Sequence, residues 1–290
     1  MNPILKKGLL TNFFEGFDAA EAQFEKIATK VPSTAASEDY GWLGSIPRLR
    51  EMKGERVPQK LLTYEYSLKN KEFEASIEVK RADLQDDQTG KYGPLVRNIG
   101  ESARLFPDEL IFADLLPNGF TKLAYDGQYF FDTDHPVGKT GSTQSNKGTA
   151  ALDATSYEAA RAALRKMKDD FGRPMNQTVS LVLIVPPELE GTAKRLVEAE
   201  TVSGGDTNVN AGTAEILVSP WLTDANNWYL VNTAGVIKPF VVQEREFIPF
   251  ESLEEDSETG FWRKVHYYGT YWRGNAGYAL YSKAYGALVA

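Results

Sequence analysis

LLTYEYSLKNKEFEASIEVKR, residues 61–81, alternates apolar and polar side chains in both of its halves. Leu62, Tyr64, Tyr66 and Leu68 are the apolar members on the way out; Phe73, Ala75, Ile77 and Val79 alternate with Glu72, Glu74, Ser76, Glu78 and Lys80 on the way back. A period of two puts each apolar set on one face of a strand. A two-residue Asn70-Lys71 turn sets Leu68 opposite Phe73, Tyr66 opposite Ala75, Tyr64 opposite Ile77 and Leu62 opposite Val79. Asn tolerates the positive φ such a turn requires. The expectation is a long hairpin with one apolar face. An isolated hairpin is marginal in water, so this face must rest on the same chain or on a neighbouring copy.

Working outward, 290 residues suffice for one large domain or two. An apolar content of 42% is that of a folded protein. The net charge of −8 lacks the broad basic field of a protein that wraps nucleic acid. The absence of cysteine excludes disulfides, thiolate nucleophiles and cysteine zinc sites, and suits a reducing cytoplasm. The opening MNPILKKGLLTNFFEGF is interrupted by Asn12 and Glu15, so no signal peptide is expected. No run approaches the length of a membrane span.

Residues 1 to about 30 read as an amphipathic arm with Phe13, Phe17, Phe24 and Ile27 on one stripe, or as a core helix. Residues 31–60, rich in Pro, Ser and Gly, read as extended or looped. PLVRNIGESARLFPDELIFADLLPNG, from Pro94, has helical spacing, with Leu95, Ile99, Phe106, Leu110 and Ala113 near one face. Pro107 is expected to kink or split that helix. A capping box at Thr155 and Glu158 opens a second helix carrying Tyr157, Ala160, Leu164, Met167 and Phe171, with Gly172 at its end. VSLVLIV at 179–185 reads as a buried strand followed by a helix; 203–212 reads as a flexible loop. From Ile237 onward the chain is β-rich and aromatic, interrupted by the acidic turn Glu251 to Glu258. Helices and strands mix without a βαβ repeat, which gives an α+β fold class.

Catalytic motifs fail on inspection. Gly138-Lys139-Thr140 echoes a P-loop, but the glycine needed five positions earlier is Thr133. There is no nucleophile elbow and no dinucleotide fingerprint. Asp126, Asp132, Asp134 and His135 are donors suited to a hard divalent ion, and a metal-dependent hydrolase is the enzymatic alternative they suggest. A polar loop whose Asp side chains support turns explains them more simply. His266, between aromatics on a strand, reads as a packed or surface side chain. The expectation is no catalytic residue, no metal, no cofactor and no enzyme. A large folded chain with an arm, a long hairpin and polar loops instead favours a self-assembling structural protein.

Trp42-Leu43-Gly44, Pro47, Arg50 and Gly54-Glu55-Arg56 come in order before FEASIEVKRADLQDDQTGKYG, PDELIFADLL and YDGQYFFDTDHP. This ordered set, over roughly residues 40 to 135, resembles the major head proteins of Mu-like phages and prophages. The resemblance implies the HK97-type capsid fold: an N-terminal arm (1–50), an extended β-hairpin loop (51–91), a peripheral domain with a long spine helix (92–151 and 237–290) and an axial domain (152–236). It implies a subunit that forms pentamers and hexamers and closes an icosahedral shell around DNA without sequence-specific binding. It implies assembly in the host bacterial cytoplasm and residence in the virion. The implied partners are a separate scaffolding protein, a maturation protease, a portal and decoration proteins, with no membrane. The lack of a long N-terminal scaffolding segment is the reason to expect a separate scaffold. The hairpin face, Leu62, Tyr64, Tyr66, Leu68, Phe73, Ile77 and Val79, is the expected intersubunit contact. A tail-tube or connector protein is the other virion component weighed.

Overall fold

The computed structural model describes residues 3–41, 52, 54, 64–86, 90–138, 141–175, 179–202, 204–253 and 262–289. The chain opens with α1 (Pro3–Ala19), a single-turn α2 (Phe24–Ile27) and β1 (Ala28–Pro32). Next come β2 (Ser37–Asp39), β3 (Ser67–Lys69), β4 (Lys71–Lys80), α3 (Arg81–Gln85) and α4 (Tyr92–Asp108). A π-helical stretch, Glu109–Leu115, carries α4 into α5 (Leu116–Asn118). Short strands β5 (His135–Pro136), β6 (Thr143–Gln144) and β7 (Lys147–Gly148) precede α6 (Ala154–Lys166). The chain ends with β8 (Leu181–Val185), α7 (Glu190–Val197), β9 (Glu215–Val218), β10 (Trp228–Asn232), β11 (Phe240–Leu253), β12 (Val265–Tyr278) and β13 (Ala284–Ala287).

Two sheets organise these elements, in the orders β1-β11-β12-β4 and β7-β13-β10-β8-β9. The last strand therefore joins the sheet of β8 and β10 rather than that of β11 and β12. β8 is buried along its whole length, as an apolar run between covered faces should be. The main core lies between the sheets, where Phe130 stacks on Tyr278 and meets Phe131 and Phe240. A second core packs α6 and α7 on β8 and β10 through Tyr157, Leu164, Leu183 and Trp228.

The expected hairpin across Asn70-Lys71 does not form. β4 is a strand, but it pairs antiparallel with β12, from Lys80 opposite Val265 to Lys71 opposite Gly274. β3 pairs instead with β2, placing Leu68 opposite Glu38 rather than Phe73. At Asn70 the backbone crosses from one ladder to the other, its N–H donating to Ala36 O at 2.9 Å. Alternation fixes which side chains share a face, but not which strand supplies the rungs. Here the aromatic β12 supplies them for β4. Leu62 lies outside the described residues.

Two helix expectations also change. Pro107 sits inside a helical run that continues to Asn118, and the wider π turns begin two residues beyond it. A π turn shifts which side chains face inward. Ile111, Phe112, Leu115 and Leu116 are buried, whereas Ala113 and Leu95 are exposed. The capping box of α6 is formed by Asp153 and Ser156, not Thr155 and Glu158. That helix ends at Lys166, so Phe171 lies beyond it and Gly172, at φ 75°, serves a turn.

Candidate assembly interface

The apolar row of β4 rests in part on the chain's own helices. Val79, 2% exposed, joins Leu9 and Phe13 of α1, Val96 of α4 and Tyr268 of β12 in a small core, with Ile77 half-buried beside it. Leu68 is buried in the main core, against which Tyr64, Tyr66 and Phe73 pack half-buried. Toward Phe73 and Ala75 the helical cover is incomplete. A groove of about 200 Å³ opens there, lined by Phe73, Ala75, Ala103, Phe106, Phe247 and Trp272. Its rings already contact one another, Phe73 to Phe106 at 4.6 Å and Phe106 to Trp272 at 5.5 Å between centroids. Unlike the Val79 end, this end has apolar surface left to give.

The ladder of β2 and β3 is prolonged by Tyr40 N to Tyr66 O at 2.8 Å and Tyr64 N to Gly41 O at 2.9 Å. Gly41 and Tyr64 thus lie side by side at the end of a short two-legged stem. That stem is fastened to the first sheet through Gln243 of β11, which is 0% exposed. Its Nε2 donates to Leu68 O at 3.1 Å and Asn70 Oδ1 at 2.5 Å, and its Oε1 accepts from Tyr40 Oη at 3.0 Å. Burial pushes the Tyr40 hydroxyl up to about 12, so it stays a donor. Asn70 Nδ2 donates in turn to Ser33 Oγ and Ala35 O, both at 2.8 Å. Each amide spends both of its hydrogens, leaving no unmatched donor. The stem is not legible in the sequence because Gln243, followed by Glu244, Arg245 and Glu246, carries no pattern that marks it as buried.

A second tie holds the start of α2. Asp108, buried at the end of α4, accepts from Gln23 N at 2.9 Å and from Phe24 N at 2.6 Å. It receives the chain where α2 begins, the end of a helix that favours negative charge. Burial is the largest influence on its carboxyl and raises its pKa; the two amide hydrogen bonds and Arg104 oppose that rise only in part.

The Asp/His cluster, weighed above as a metal-binding alternative to a polar loop, bonds within the chain. His135 Nδ1 lies 2.7 Å from Asp126 Oδ2, both side chains being fully buried, and the imidazole stacks on Tyr281 at 3.7 Å. Asn146 Nδ2 donates to Phe130 O and Tyr281 O, so its Oδ1 is the acceptor facing His135 Nε2 at 3.1 Å. Both ring nitrogens of His135 are thus engaged within the chain, Nδ1 by Asp126 and Nε2 by Asn146. Asp132 spends an oxygen on Thr133 N. Among the described residues no three His, Cys, Asp or Glu side chains are grouped to hold a metal. Lys139 and Thr140 of the P-loop echo lie outside the described residues. His266 is buried on β12 near Tyr268. No helix among the described residues is long and apolar enough to cross a membrane.

The comparisons with known proteins agree with this architecture. The family model of the Mu-like prophage major head subunit gpT matches residues 3–151, 146–222 and 223–288. The chain is 31% identical over 290 residues to the Mu-like prophage FluMu major head subunit of Haemophilus influenzae, covering 98% of this chain and 73% of that one. It is 44% identical over 141 residues to the major capsid protein of Escherichia phage Mu, covering 47% of this chain and 46% of that one. Among solved structures it is similar to a chain of the bacteriophage JBD30 procapsid, with a TM-score of 0.58, 31% identity, and coverage of 99% of this chain and 76% of the other.

Proposed function

The chain belongs to the Mu-like major head subunit family and is a major capsid protein with the HK97-like fold, and we propose that its copies form pentamers and hexamers that close as an icosahedral shell around phage DNA. The observation that carries this reading is the match of family and fold along nearly the whole chain. Tail-tube, connector and hydrolase readings have no comparable support.

We assign the sheet of β11 and β12, with α4, to the peripheral domain, and α6, α7 and the sheet of β8 and β10 to the axial domain. Copies meet through the extended loop (51–91), which includes the open half of the β4 row. The occupant of the Phe73 groove is a second copy of the chain. Leu68 and Val79 are buried within their own chain and contribute by shaping it; Tyr64, Tyr66, Phe73 and Ile77 retain surface for a neighbour. Many modest, symmetric contacts make such a shell stable. The net charge of −8 keeps the coat from gripping the packaged DNA. A separate scaffolding protein, a maturation protease, a portal and decoration proteins complete the proposal on the strength of the family resemblance, with assembly in the host bacterial cytoplasm.

Ala75→Asp tests the interface. Ala75 is exposed and lines the groove, so a carboxylate there leaves the subunit's core alone but must be desolvated on docking. The variant is expected to fold with an unchanged melting temperature and to sediment as small species. Wild-type yields of shells from Ala75→Asp would remove the groove from the interface.

A further inference from the structure

On the capsid reading above, on which this rests, we propose that the occupant of the Phe73 groove is Trp262 of a second copy, flanked by its Arg263 and Lys264. Each copy gives this knob to one neighbour and its groove to another.

Trp262 is 74% exposed, against 43% for Tyr129 and 38% for Phe14, which makes it the most exposed aromatic side chain among the described residues. An aromatic side chain buries about 150–250 Å² when it is covered, and Trp and Arg are the residues that most often anchor an interface. The two residues after Trp262, Arg263 and Lys264, are cations, and both are exposed. Lys264 takes φ 52°, a left-handed conformation that a lysine keeps only where its surroundings hold it. Its carbonyl accepts from Arg81 N at 2.9 Å, which fastens the foot of the knob to the junction of β4 and α3. A fastened knob loses little conformational freedom on docking.

The groove matches the knob in chemistry. Phe73, Phe106, Phe247 and Trp272 supply ring surface, and Glu74 lines it beside them. Glu72 and Glu78 are exposed on the same strand. Rings accept an indole edge-on or offset, and the carboxylates of β4 complement the two cations that flank it.

A chain does not fill its own groove. β12 rises about 3.3 Å per residue, which sets its first residue, Val265, about 17 Å from Thr270 in the groove lining. Trp262 lies three residues before Val265, farther still from the groove. The two sites also belong to opposite faces of the sheet. Arg263 reaches the Tyr267 hydroxyl, which donates to Glu78 Oε2 at 2.9 Å. Tyr267 alternates with Tyr268, Thr270 and Trp272, and Trp272 meets Phe106 of α4 on the groove side. Because knob and groove are different surfaces, the contact runs head to tail, the kind that closes copies into a ring when the rotation between them allows it.

Melting temperature and closed-shell yield by electron microscopy are compared for the wild type, Trp262→Ala, Trp262→Phe and Ala75→Asp. Trp262→Ala and Ala75→Asp are each expected to melt with the wild type, since both side chains are exposed, and to lower shell yield at least about tenfold. Trp262→Phe keeps a ring and is expected to lose less. The chain has no cysteine, so single thiols at Arg263→Cys and Glu74→Cys report the contact while leaving Trp262 in place. Mixed one to one and treated with a short bismaleimide, these two variants are expected to cross-link to each other about fivefold more than either does to itself. Wild-type yield from Trp262→Ala beside a loss from Ala75→Asp keeps the groove in the interface and overturns Trp262 as its occupant. Wild-type yields from both overturn the groove and the knob together. A lowered melting temperature in Trp262→Ala passes the decision to the cross-link. Absence of shells from the wild type counts against the capsid-assembly reading, and the cross-link then decides the contact: no excess over self-reaction overturns it.

Discussion

His135 and Asp126 are bonded to each other where no solvent reaches, and that makes each expensive to remove alone. Breaking a buried pair strands its partner, at a cost of about 3–5 kcal/mol. His135→Ala and Asp126→Ala are each expected to lower the unfolding free energy by that order in urea titrations, while the paired replacement Asp126→Leu/His135→Phe costs less than either. Singles costing under about 1 kcal/mol would refute the pairing. Asp108 gives a pH signature. Its pKa is raised on folding, chiefly by burial. The folded state therefore holds this proton more tightly than the unfolded chain. The resulting stabilisation is complete below the ordinary carboxylate range and is lost as pH rises through the raised folded value. The stability difference between wild type and Asp108→Asn should thus tilt toward wild type at the acid end. A difference tilting toward neutral pH would contradict the assignment. The sequence shows Asp126 and His135 as neighbours in a loop, and their chemistry is legible there. That they face each other rather than a cation depends on Asn146 and Tyr281, which arrive from elsewhere in the chain.

Among the elements, α1 is the one whose place was left open by its sequence, as arm or as core helix. It docks on α4 at a crossing without side chains: a Cβ on Gly100 would lie 2.1 Å from Phe13 O, and one on Gly16 2.0 Å from Arg97 O. Gly8 of the same helix has open space around it. Alanine at Gly8 should therefore stabilise by up to about 1 kcal/mol through helix propensity. Alanine at Gly100 should cost about 1–3 kcal/mol by overpacking and should speed amide exchange in α1. Equal effects of the two substitutions would mean that α1 does not sit on α4 in solution. Periodicity located β4, β8, α4 and α6 because each has a covered face. It misjudged the partner of β4, since pairing is a long-range choice, and it misplaced the buried face beyond Pro107, since a π turn leaves no mark in a pattern of 3.6 residues.

On the scale of the whole molecule, the two sheets, the long helix from Tyr92 to Asn118 and the stem at Gly41 and Tyr64 form one scaffold. The chain leaves a half-covered apolar row at Phe73 and Ala75 and carries a net charge of −8. On the proposed reading, a second copy of the chain covers that row. The ordered motifs between residues 40 and 135 made the fold family legible in the sequence. The candidate interface was only half legible: its apolar row could be read, but the groove is made where α4, β11 and β12 converge on it. The most direct test of the central claim is electron microscopy of the purified wild-type protein, with its mass measured by light scattering. Closed shells or capsomer rings of megadalton mass are the expected result. A monodisperse monomer or dimer that stays unassembled even in the presence of scaffold and phage lysate would contradict it.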